Sequence, residues 1–92
     1  MPTNQQHANP KDLEQNKREA LTALIGGQVM HALGEPGDLH QVQVRPLWAD
    51  HYRVNVLVGA DAASVKVAHS YFLEADGDGN ILASNPQITR RY

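Results

Sequence analysis

Cysteine is absent from the 92-residue chain. That excludes disulfide staples, thiolate metal sites and a cysteine nucleophile. It fits a reducing compartment, so a cytoplasmic location is the expectation. Aromatic residues are scarce, with one Trp, one Phe and three Tyr. A surface that stacks single-stranded nucleic acid needs several exposed rings. A formal net charge of −2 supplies no general field to attract a polyanion or an anionic membrane. Nucleic acid is therefore not an expected partner. No apolar run approaches the roughly 20 residues that a membrane-spanning helix requires, and the polar N-terminus lacks the apolar stretch of a signal peptide, so no membrane association is expected. Catalytic signatures are missing too. There is no HExxH, no G-x-S-x-G elbow, and no Lys-Ser/Thr pair after Gly26-Gly27 that would make a phosphate loop.

What the chain does have is alternation. Val42, Val44, Pro46 and Trp48 share one parity, with Gln41, Gln43 and Arg45 on the other. Tyr52, Val54, Val56 and Val58 repeat the pattern against His51, Arg53, Asn55 and Leu57. Val65, Val67, His69, Tyr71 and Leu73 do so against Ser64, Lys66, Ala68, Ser70 and Phe72. Side chains of a strand point alternately to opposite faces, so three such runs predict an antiparallel sheet with one buried face. Ala49-Asp50 suits a tight turn, Gly59 to Ala63 a longer one, and Asp76-Gly77-Asp78-Gly79 is the strongest turn signal. A short fourth strand, about Asn80 to Ser84, should follow.

Ahead of the strands, residues from Lys11 or Asp12 to Leu33 carry helical periodicity. Leu13, Leu21, Leu24, Ile25, Val29 and Ala32 form one broad stripe. Asp12 suits an N-cap, and Gly34 followed by Pro36 suits a helix end. Gly26-Gly27 predicts close approach of a strand or a second subunit to bare helix backbone, with a break into two helices as the rival. Residues 1–10, rich in Asn, Gln and Pro, read as a disordered tail, leaving residues 11–92 as one domain. The expectation is an α+β fold: one N-terminal helix packed across a three- to four-stranded antiparallel sheet, two layers, in the order α-β-β-β-β. In layout it resembles the helix-on-curved-sheet arrangement of cystatin-like folds, a likeness of shape that carries no function.

Three functional readings follow. The first is a small non-enzymatic domain that binds a protein partner, or a second copy of itself, through the exposed sheet face or an edge. Gln43, Arg45, Arg53, Asn55, Lys66 and Phe72 would form that face, since arginine and aromatic anchors in a mixed rim are typical of protein contacts. The second is a small-ligand or catalytic domain with a pocket between helix and sheet, near Gly26-Gly27 and lined by Gln28, His69 and Tyr71. The third is weak calcium binding. Glu74, Asp76 and Asp78, with Gly79 and Ile81, resemble part of an EF-hand loop. That likeness starts with Glu instead of Asp, ends on Asn85 instead of a bidentate Glu, and is flanked by strand patterns. No cofactor is implied. His40 and His69 could meet only if the first and third strands are neighbours, and a third ligand would still be missing.

Overall fold

The structure, a computed structural model, describes residues 10–92, with side chains from Asn16 onward. The expectations for residues 1–9, His7 among them, and for the side chain of Leu13 lie outside the described residues; Pro10, expected in the tail, is already helical, and Asp12, expected as the N-cap, is the third residue of the helix. Helix α1 runs over Pro10–Leu33, β1 over Leu39–Pro46, β2 over His51–Val58, β3 over Lys66–Ala75 and β4 over Ile81–Asn85. The strands form one antiparallel meander in the order β1-β2-β3-β4. This is the two-layer α+β fold that the periodicities require.

The helix begins with proline, whose missing N–H costs nothing in a first turn. At about 1.5 Å per residue it is longer than the strands beneath it. Asn16 to Ala20 are exposed, and burial starts further along. Ile25, Val29 and Leu33, four residues apart, are fully buried, and Leu21 and Met30 pack beside them. Leu24, expected in the stripe, is exposed, because the seam that meets the sheet is narrow. Gly26 is buried against β1: a Cβ there would lie 3.5 Å from Val44 Cγ2 and 3.7 Å from Val42 Cγ1. Those are ordinary van der Waals distances, so Gly26 faces a strand as expected but the packing leaves room for a Cβ there, and the helix is unbroken. Gly27 faces open space.

Leu33 ends the helix. Gly34 takes φ +88° and donates its N–H to the Met30 carbonyl at 2.8 Å, a left-handed cap. The free Leu33 carbonyl accepts from the N–H groups of Arg91 (2.8 Å) and Tyr92 (3.2 Å). The C-terminal segment thus closes over the helix end, with Ile88 packed against the core. The backbone carbonyl of Tyr92 would collide with any Cβ at position 34.

β2 shows the clearest alternation. Tyr52, Val54, Val56 and Val58 are buried, and the residues between them half-buried. Tyr71, Leu73 and Ala75 of β3 complete the inner face. Parity fails at three places, one at Leu82 of β4 and two opposite the end of β2. In β1, Leu39 pairs with Val58 and Gln41 with Leu57, so His40 is an extra residue. In β3, His69 pairs with Val56 and Val67 with Leu57, so Ala68 is extra. Each β-bulge reverses the alternation beyond it. Val67, expected in the core, is therefore on the outer face and 54% exposed. Lys66, expected outside, pairs with buried Val58 and shares its side. His40 and His69 do not meet, since β2 lies between their strands.

Two expectations follow for stability. Leu73→Ala should cost about 2–5 kcal/mol by opening a cavity, whereas Val67→Ala, of the same nominal parity, should stay within about 0.5 kcal/mol. Urea denaturation of the two variants checks this. In the same assay Gly27→Ala should stabilise by about 0.5–1 kcal/mol through helix propensity. Gly34→Ala should destabilise by at least about 1–2 kcal/mol, because its φ is left-handed and its space is occupied.

Candidate functional site on the open sheet face

Residues directly opposed across antiparallel strands share a face, so the registers assemble the outer surface row by row. Arg45 of β1 faces Arg53 of β2, which faces Phe72 of β3, which faces Asn85 of β4. One row nearer the Gly59 end, Gln43 faces Asn55 and Asn55 faces Ser70. In the other direction His51 faces Glu74, which faces Ala83. Gln43, Arg45, Arg53, Asn55 and Phe72, five of the six residues expected on this face, are brought together. Lys66 is not, for the reason given above.

One residue arrives that parity assigned to the core. Pro46 closes β1, and the chain then turns through Trp48, Ala49 and Asp50. The N–H of His51 donates to the Trp48 carbonyl and the N–H of Leu47 to the His51 carbonyl, each at 2.9 Å. Ala49 holds φ +48°, a left-handed conformation that costs an L-residue about 1–2 kcal/mol. Beyond this turn the odd-even count no longer applies, and Trp48 lies on the outer face, 60% exposed. Its ring stacks on His51 (centroids 5.2 Å apart, planes 26°) and reaches Phe72 at 5.6 Å. His51 stacks on Phe72 at 5.5 Å and 24°. Three rings form one patch.

Arg53 is held within this patch. Its guanidinium carbon lies 5.9 Å from the centre of the Phe72 ring, within cation–π range. Its Nη1 donates to Ser70 Oγ at 3.4 Å, and Ser70 Oγ donates to Asn55 Oδ1 at 2.7 Å. The amide, hydroxyl and guanidinium make a short polar chain beside the rings. Such a surface can stack, accept hydrogen bonds and bind anions. Nothing in it is arranged to activate a nucleophile.

The other candidate residues fall differently. Gln28 is exposed on the helix, in a shallow concavity with Ala23, Leu24, Gly27 and His31. Tyr71 is buried in the core, and burial raises its hydroxyl pKa. His69 stacks on Tyr71 at 6.2 Å and meets the Tyr92 hydroxyl through Nε2 at 2.9 Å. Thus His69 and Tyr71 come together while Gln28 stays on the solvent side. A cleft of about 160 Å³ at one margin of the helix–sheet layer is lined by Arg18, Leu21, Thr22, Pro46, Ala49 and Tyr52, and by none of those three.

In the Asp76–Asn80 turn, Asp76 Oδ1 accepts the N–H groups of Asp78 and Asn80, each at 2.9 Å, and Oδ2 accepts Asn80 Nδ2 at 3.1 Å. These donors hold the Asp76 carboxyl below its ordinary pKa, the Asn80 backbone N–H most of all. The carboxylate is therefore committed to the turn, while Glu74 sits on the outer face opposite His51. Among the described residues no group of three His, Cys, Asp or Glu is disposed to hold a metal ion.

The chain matches no protein-family model, no curated protein and no solved structure. The comparison with cystatin-like folds therefore stops at element layout. No described helix is long and apolar enough to cross a membrane.

His69 generates a pH expectation. Burial, and secondly the charge of Arg91, place its folded pKa below the ordinary 6.5. The unfolded chain then binds the proton more readily. The stability contributed by neutral His69 is complete above about pH 6.5 and falls as pH drops from there toward the folded pKa. Urea midpoints measured between pH 7.5 and 5 should show this decline, and His69→Gln should flatten it.

Proposed function

We propose that this chain is a small non-catalytic binding domain that engages a protein partner through its outer sheet face, centred on Trp48, His51, Arg53 and Phe72. One observation carries the reading: the only tryptophan stands 60% exposed in a three-ring patch beside two arginines. Tryptophan and arginine dominate the residues that supply binding energy in protein interfaces, and a contiguous apolar patch with a polar rim is their usual setting. Gln43, Asn55 and Ser70 provide such a rim.

The face is favoured over the sheet edges as the contact surface. β1 carries a bulge at His40 and ends on proline. β4 is five residues long and bulged at Leu82. Short, bulged or proline-bearing edges discourage strand addition. The sheet face carries no comparable device.

Photo-crosslinking in the native cells tests the proposal. A photoreactive side chain replacing Val67, on the outer face but outside the ring patch, should capture a discrete protein adduct. The same probe at Gln28, on the helix, should not. Trp48→Ala in the Val67 background should reduce the adduct roughly tenfold or more, as loss of an interface anchor does. Equal capture from both positions, or none from Val67, would contradict the assignment.

A further inference from the structure

The arginines of the outer face show which partner chemistry it suits. Arg45 and Arg53 are directly opposed across β1 and β2, on the same side of the sheet. Like charges so placed repel, and a sheet stabilised only for itself gains nothing from them. No carboxylate offsets them. Glu74 stands in the neighbouring row, opposite His51 and Ala83 in the register, and among the described residues no ion pair to Arg45 or Arg53 is formed.

Arg53 is also ordered in advance. Contact with Phe72 and the bond to Ser70 Oγ restrict its guanidinium, so less side-chain entropy remains to be lost on binding. The bond to Ser70 uses one Nη1 donor of the five N–H donors that a guanidinium carries. The remaining fork matches a carboxylate bidentately, which a lysine could not do. Beside it, Trp48 offers an open ring for an apolar neighbour of that carboxylate.

Resting on the reading of this face as the contact surface, we infer that its partner presents an acidic peptide segment: one or two Asp or Glu side chains seated on Arg45 and Arg53, with an adjacent apolar or aromatic side chain against Trp48. Charge complementarity selects this occupant. A single-stranded nucleic acid would need a basic track with free ring faces. This face has two cations in one row and no further lysine or arginine along it to form such a track. A second copy of the chain would set this arginine pair against its own symmetry mate unless the copies were offset, because a two-fold contact pairs like patches.

Selection from a display library of random twelve-residue peptides, run against the full chain, tests the inference without knowledge of the natural partner. Enriched sequences should carry Asp or Glu next to an apolar residue. Synthetic copies should shift the amide resonances of Arg53, Asn55 and Phe72 saturably. The Arg45→Gln/Arg53→Gln double variant should bind them about tenfold or more weakly, as expected for loss of hydrogen bonds to charged groups, while keeping its amide spectrum away from that row. Enriched peptides that are neutral or basic yet still shift those amides would overturn the acidic inference and leave the face as the contact surface. Enrichment that maps elsewhere, or no enrichment, would overturn both. Tighter binding of an eight-nucleotide single strand than of the selected peptides, or a dimer in sedimentation that masks the same amides, would replace the acidic segment with nucleic acid or a second copy.

Discussion

Burial of one side of β2 beneath the second half of α1 is the constraint on which the rest of the molecule depends. Tyr52, Val54, Val56 and Val58 alternate with half-buried neighbours along the whole strand. Ile25, Val29 and Leu33 meet that inner face from the helix. Fully burying a side chain of this size contributes about 1.5–3 kcal/mol. A slip of one residue would put Arg53 and Asn55 in the core, so the register admits no alternative. β1 and β3 pair with β2 on either side and take their registers from it. Gly26 faces Val42 and Val44 across the layer, and the C-terminal segment closes the far end through the Leu33 carbonyl.

Because the inner face is so fully specified, the outer face is what can vary. Its composition is unusual for a surface needed only for solubility. Trp48 and Val67 are exposed, and Phe72 supports a guanidinium. The strained turn at Ala49 accompanies Trp48 on this side of the sheet. Backbone strain retained next to exposed rings is a common mark of a binding region. The polar chain from Arg53 through Ser70 to Asn55 gives the patch direction, with donors aimed from one row and an amide in the next.

The sequence made the element order, the helix end at Gly34 and the inner residues of β2 legible, because each follows from a local rule applied over an uninterrupted run. Five of the six sheet-face residues were legible for the same reason. The departures have local causes that a period-two count cannot carry. The extra residues His40 and Ala68 reverse the alternation beyond them, which moved Val67 outward and Lys66 to the other side. Neither has the glycine that would signal a bulge. Trp48 departs from parity because the alternation ends with β1 at Pro46, and a proline at a strand end is the sequence signal of that limit. His51 was placed on the correct face, but its stacking with Trp48 depended on that turn and had no separate trace in the sequence.

Trp48 is the chain's one tryptophan, so its fluorescence reports on the assignment that matters most, an aromatic patch open to a partner instead of sealed in the core. The measurement is quenching of that fluorescence by acrylamide and iodide in the folded, dilute protein, compared with the urea-unfolded chain. The account predicts water-like emission and quenching close to that of the unfolded chain. Blue-shifted emission protected from both quenchers would return Trp48 to the interior and remove the outer-face site.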